Sequence, residues 1–271
     1  MHLLPLIGAA PVATPTIPVP APDDGLPRPT WDLARSTLRA INRYATDISE
    51  ARYLIRLAEQ IGDRTYTELQ ARHKLILDNP RRVDGNQKYL DIPYWTAHKL
   101  SIARRLQLLS GPPRALLDLG TGAAHILRVA VDHGHTAIGI DIEDPIYADV
   151  ARVLGVDRRV HRIDRHVKLP NFGQKFDVVT SMWIKYDDMT SGNTLKYWDI
   201  ADWAFQLNDI VENQLKFPAR IYFALNAQRR ADGQYTLDQA VLAWFQGHGA
   251  SIDTRTGEVE LRLDAPRTFK P

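Results

Sequence analysis

One stretch, Arg114-Ala-Leu-Leu-Asp-Leu-Gly-Thr-Gly-Ala-Ala124, constrains this chain more than any other. Ala115, Leu116 and Leu117 form an apolar run of strand length, and Asp118 closes it. Gly120 and Gly122 permit a tight turn, and Ala124 opens a helix. Any side chain on such a turn would keep a ligand from lying against the backbone, so the glycines point to a binding turn in an α/β fold. The next strand, Thr136–Asp141, ends in an acid 23 positions after Asp118, where a carboxylate accepts hydrogen bonds from ribose hydroxyls. A third strand is read over Arg159–Asp164, again ending in an acid and followed by Leu169-Pro170. A fourth is read over Phe176–Met182.

Asp118-x-Gly120-x-Gly122-x-Ala124, with the three strand signals in this order, resembles the class I S-adenosylmethionine-dependent methyltransferases over about Gly111 to Asp264. Alanine stands in the usual third-glycine slot. The resemblance implies a Rossmann-like α/β sheet of seven strands whose last hairpin is antiparallel, and S-adenosylmethionine as cofactor with S-adenosylhomocysteine as product. Carried over by position, it puts Asp118, Gly120, Thr121, Gly122 and Ala124 along the donor turn. It puts Asp141 and Ile142 at the ribose, Asp164 and Arg165 at the adenine, and Ser181 and Met182 beside the transferring methyl. A nicotinamide dehydrogenase is the rival, but its Gly-x-Gly-x-x-Gly fingerprint needs glycine where His125 stands. A carboxylate at Asp118 would also repel a pyrophosphate, whereas a sulfonium and an ammonium tolerate it.

Composition matters where it excludes. With 271 residues, 44% of them hydrophobic, the chain can bury one α/β core and an appendage. A formal charge of +2 sets up no field demanding nucleic acid or membrane. The absence of cysteine removes thiol nucleophiles, cysteine-ligated metals and covalent attack on a pyrimidine ring. No apolar run approaches the roughly 20 residues that span a bilayer. The expectation is therefore a cytoplasmic enzyme without a metal site and without a membrane partner.

Three segments are expected: 1–29, 30–110 and 111–271. Eight of the 17 prolines fall before residue 30, which blocks regular structure and leaves an extended or disordered arm. A signal peptide competes through Leu3–Ile7, without a basic start and with prolines interrupting the apolar stretch. Helical periodicity runs from Trp31 to Ile61, ended by Gly62. Thr65 with Glu68 fits a capping box opening a helix to about Asp78, and another helix begins near Pro93 with Trp95 turned to the core. These helices are expected to form an N-terminal lid and to set acceptor choice. Downstream, helices over about 194–215 and 237–246, a strand over 220–225 and a hairpin over 251–254 and 258–263 complete the sheet.

For the chemistry, Tyr186, Asp187 and His125 are the candidate bases, and Tyr89 and Trp183 the candidate substrate walls. The Asn/Asp-Pro-Pro-Tyr signature of amide and base nitrogen methylation is replaced by Ser181-Met-Trp-Ile184. The expected reaction is in-line methyl transfer to an O or N atom of a small molecule. RNA or protein methylation is the alternative, motivated by Arg81-Arg82, Arg104-Arg105, Arg158-Arg159 with Arg162 and Arg165, and Arg229-Arg230. A non-catalytic relative that only binds the donor is the third. The N-terminal arm and first helix could exchange between subunits, although nothing compels an oligomer.

Overall fold

A computed structural model of the chain describes residues 32–73, 85–188, 196–229 and 235–271. The proline-rich arm, Arg81-Arg82 and Arg230 lie outside them. The central sheet has seven strands: β1 (Ala115–Leu119), β2 (Thr136–Asp141), β3 (Asp157–Val160), β4 (Phe176–Met182), β5 (Leu215–Ala224), β6 (Ser251–Asp253) and β7 (Glu258–Leu263). Their order is β6-β7-β5-β4-β1-β2-β3, and only β6 and β7 pair antiparallel with their neighbours. That is the seven-stranded sheet with an antiparallel last hairpin that the resemblance implied, and the reversal of order beside β1 opens a crevice at the strands' carboxyl ends. β1 and β4 are almost wholly buried because helices cover both faces. Leu117 is in register with Ile138 on one side and Val179 on the other.

One face is covered by α7 (Ile200–Asp209, continued by a π turn to Gln214) and α8 (Gln239–Gly247), whose Trp203 and Phe245 pack with Val179, Ile221 and Phe223. The other face is covered by α4 (Ile92–Arg105), α5 (His125–Asp132) and α6 (Pro145–Leu154). On that side Leu100 and Ala103 of α4 join Leu127, Leu116, Val178 and Tyr222 in one cluster. Helices α1 (Leu33–Tyr44), α2 (Ile48–Ile61) and α3 (Asp63–Arg72) pack around α4 and α6, and a 3₁₀ turn, Gly85–Leu90, leads into α4. Among the described residues no helix is long and apolar enough to cross a membrane.

Several boundaries differ from those expected, each for a local reason. The single periodic segment from Trp31 to Ile61 is two helices, because Asp47 caps α2 by accepting from the amides of Ser49 and Glu50 at 2.8 and 3.0 Å. The Thr65–Glu68 capping box does not form: α3 starts at Asp63, and Glu68 pairs with Arg64 at 2.8 Å instead. The helix expected from Thr194 begins at Ile200, where Asp199 and Asp202 make a reciprocal capping box. Leu215 belongs to β5, not to that helix, because it pairs with Phe176. β3 ends at Val160, so Asp164 lies beyond the sheet rather than at a strand end. Val160 is exposed, and beyond it only Ile163 turns to the core, without pairing to β2.

Candidate functional site

β1 delivers Asp118, fully buried, to the carboxyl edge, where Oδ1 accepts from the Thr180 hydroxyl at 2.6 Å. Burial raises its carboxyl to about 6, against the lowering influence of Thr180 and Lys99. The chain then turns through Gly120 and Gly122, both in the left-handed region at φ +67° and +57°. Ala124 holds φ +65° as the N-cap of α5. A Cβ on Gly120 would stand 1.9 Å from Cγ2 of Ile184, so the glycine is sterically required by the segment after β4.

Asp141, at the end of β2, closes the turn. Its Oδ2 accepts from the Gly122 amide at 2.6 Å and its Oδ1 from the Ile142 amide at 2.7 Å. Arg158 fastens the same loop from outside, donating to the carbonyls of Gly122 and Ile142 at 2.9 and 2.5 Å. The turn's amide is thus committed to a carboxylate and unavailable to a phosphate. Two of the four acceptor directions on Asp141 remain. Burial raises the Asp141 carboxyl, partly offset by the two amides. Tyr89 and Tyr147 wall this end with ring centroids 5.7 Å apart; Tyr147 lies under Gly122, and its hydroxyl donates to Asn86 at 2.7 Å.

Beyond Ser181 and Met182, Trp183 sits at φ +56°, an unusual conformation for a bulky residue. Its amide donates to the Ala224 carbonyl at 2.8 Å, and its carbonyl accepts from Asn226 at 2.5 Å. The ring lies against His98, with centroids 5.3 Å apart, and under Lys99, whose Nζ is 4.5 Å from the ring centroid and 3.5 Å from the Met182 sulfur. Burial lowers the Lys99 ammonium to about 8, with Asp118 opposing and Lys88 adding to the effect. Burial, with Lys99 and Lys88 nearby, lowers His98 to about 4. Next to this group a cavity of about 380 Å³ lies at the carboxyl ends of β4 and β5. Its walls include Ile184, Tyr186, Trp198, Trp203, Asn226 and Asp238.

The structure therefore gathers Asp118, Gly120, Thr121, Gly122, Ala124, Asp141, Ile142 and Tyr89 at one end of the crevice, and Ser181, Met182 and Trp183 at its middle. Others fall elsewhere. Asp164 is exposed and pairs with Arg162 at 2.8 Å, and Arg165 reaches Asp202 at 3.3 Å and the Tyr197 carbonyl at 2.6 Å. His125 is buried with Nδ1 3.0 Å from the Thr96 hydroxyl, and burial lowers it to about 3. Tyr186 donates to Ser181 Oγ at 2.7 Å, burial holds its hydroxyl well above the usual phenol range, and its ring packs tilted on Trp198 and edge-to-face on Trp203. Asp187 contributes backbone to a two-residue ladder with Tyr197, and its side chain is outside the described residues. Trp95 is half-buried beside Tyr89 and His98, not in the core.

Sequence reasoning missed Gly139, Lys99, His98 and Ile184. A Cβ on Gly139 would meet three atoms of Thr121 at 2.7 Å, so the turn rests directly on β2 there. A lone glycine inside a strand pattern is the signal that could have found it. Lys99 carries no such signal, being one cation among many on helices.

No family model and no curated protein matches the chain. Among solved structures it is similar to CalS10, an amino pentose methyltransferase from Micromonospora echinaspora involved in calicheamicin biosynthesis, at 19% identity over 48% of this chain and 50% of that one, with a TM-score of 0.34. It is also similar to YjhP from E. coli, at 23% identity over 57% and 64% with a TM-score of 0.37. A third is DesVI from Streptomyces venezuelae, at 14% identity over 63% and 92% with a TM-score of 0.41. The chain spans half of CalS10 and just under two-thirds of YjhP. The fold itself rests on the strand order and register described above.

Proposed function

We propose that the chain is an S-adenosylmethionine-dependent methyltransferase that transfers the methyl group to an O or N atom of a small-molecule acceptor. The observation that carries this reading is the Asp141 clamp. A phosphate-binding turn needs its amides free, whereas here the Gly122 amide is engaged by a carboxylate, and a second carboxylate, Asp118, lies behind it. Two acids and a glycine turn suit a ligand with cationic centres and a ribose. S-adenosylmethionine would supply a methyl group on a sulfonium, already attached to a good leaving group.

On this reading Gly120, Thr121 and Gly122 hold the donor's amino-acid part, Asp141 takes ribose hydroxyls with its remaining lone pairs, and Tyr89 and Tyr147 flank the rings. Trp183 and the cavity beside it orient the acceptor and exclude water. Asp164 and Arg165 are engaged with Arg162 and Asp202, and this reading does not call on them for the adenine. The basic pairs favour a small acceptor over RNA. Arg104 pairs with Glu50, Arg105 with Glu258 and Arg159 with Asp157, so these charges are matched within the protein.

Calorimetric titration with S-adenosylmethionine and S-adenosylhomocysteine tests the reading. Micromolar binding, lost in a folded Asp141→Ala variant, is expected. A folded wild-type protein that binds neither, or that binds a nicotinamide dinucleotide instead, overturns it. Acceptors are then screened by transfer of a labelled methyl group.

A further inference from the structure

We propose that Lys99 is the proton acceptor of this cleft, its neutral amine taking the proton that the acceptor's O–H or N–H gives up as the methyl group is transferred. The inference stands on the methyltransferase reading and adds to it the group that Tyr186, Asp187 and His125 were expected to supply. Geometry carries it. Lys99 leaves α4 half-buried and directs Nζ at the end of β4, 3.5 Å from the Met182 sulfur and 4.5 Å from the centre of the Trp183 ring. Among the described residues, neither a carboxylate nor a carbonyl oxygen accepts a hydrogen bond from it. The Trp183 face attracts an ammonium, but burial removes water and leaves it no oxygen acceptor among the described residues, so on balance the site favours the free amine.

The two charged groups facing Lys99 act in opposite senses, and the attraction is the larger. Lys88, on the 3₁₀ turn, repels its charge, and Asp118, on β1, attracts it. His98, on the same helix, and His125, on α5, are both held neutral by burial and by Lys99 itself. The ammonium lies low already, at about 8, and a sulfonium brought beside Met182 would lower it further by like-charge repulsion. The step balances: a lone pair of the acceptor atom forms the new bond to the methyl carbon, and the carbon–sulfur pair returns to sulfur. The acceptor's proton passes to Nζ, and the resulting ammonium returns it to water. Tyr186 cannot serve, because its raised hydroxyl stays protonated as a donor to Ser181.

Proton linkage on donor binding tests this without any acceptor. Wild type, Lys99→Met and Lys99→Arg are titrated with S-adenosylmethionine at pH 7.5 in phosphate and in Tris, whose ionisation enthalpies differ, and the proton count is read from the difference. The donor's own amino group titrates near this pH, so the quantity that matters is wild type minus Lys99→Met. Roughly half a proton released per donor is expected from Lys99. Both variants should bind within a few-fold of wild type, and S-adenosylhomocysteine, lacking the sulfonium charge, should release much less. Proton uptake, no difference from Lys99→Met, or an equal release by Lys99→Arg would show that donor binding takes no proton from Lys99, and would overturn the proposal. A wild-type protein that binds no donor defeats the methyltransferase reading itself, and the inference with it.

Discussion

Gly139→Ala is the substitution that most directly probes how the sheet holds the binding turn. Gly139 lies in β2 opposite Asp118, and an added Cβ would stand 2.7 Å from Cβ, Cγ2 and Oγ1 of Thr121. Ordinary carbon contacts lie near 3.5–4.0 Å, so relief requires a shift of about 1 Å. Thr121 cannot simply rotate away, since its own Cβ is among the three atoms and its amide is bonded to the Ile140 carbonyl at 3.0 Å. The displacement therefore passes to Gly120 and Gly122 and pulls the Gly122 amide from Asp141. Overpacking of this kind costs about 1–3 kcal/mol, while removing a glycine from the unfolded chain returns about 0.4–1 kcal/mol. A net loss of about 1–2 kcal/mol is expected in urea denaturation, with a tenfold or larger loss of donor affinity by calorimetry. Thr121→Gly removes all three clashing atoms, so the double variant should recover about 1–2 kcal/mol relative to additivity. If Gly139→Ala matches wild type within about 0.3 kcal/mol and the two changes are additive, the turn does not rest on β2 as described.

Asp118→Asn should change the pH dependence of stability. The folded state holds this proton up to about 6, above the unfolded value of 3.8, so the stability it contributes is complete below pH 4 and is lost as pH rises through 6. The variant should lack that decline, which is at most about 3 kcal/mol at roughly 1.4 kcal/mol per unit, in denaturation curves between pH 4 and 7. Asp199→Ala removes one side of the α7 capping box and should lower stability by about 1 kcal/mol without altering donor affinity; a loss below 0.3 kcal/mol would count against the box. Ala227→Trp places an indole at the wall of the 380 Å³ cavity, and should abolish methyl transfer while leaving donor binding within a few-fold of wild type. Unchanged turnover would move the acceptor elsewhere.

What could be read in the sequence was the part with short-range physical causes. Thr136–Asp141 and Phe176–Met182 are strands at the residues expected, because short β-branched and apolar runs such as Ala137-Ile138 and Val178-Val179 mark buried parallel strands. The glycine turn was legible because glycine adopts left-handed dihedrals most readily, and Asp141 because it ends the second strand 23 positions after Asp118. Asp164 was misplaced because pattern alone cannot tell how far an edge strand stays paired. The break at Asp47 was missed because helical spacing continues across it, while the cap depends on a side chain bending back to its own backbone. Lys99 was invisible because a lysine's environment is made entirely by other elements: Met182 and Trp183 come from β4 and its exit, more than 80 residues on.

Ile184 belongs to two compartments at once. Its Cγ2 lies against the backbone of Gly120, and the same residue lines the cavity beyond Trp183. A molecule that settles on the glycine turn and one that fills the cavity must therefore both negotiate the position of one aliphatic side chain. By linkage, whatever free energy the first gains or loses through moving it is returned to the second with the same sign. Donor and acceptor affinities in this protein are thus expected to be interdependent without the two molecules touching, and exchanging Ile184 for alanine should make them more nearly independent.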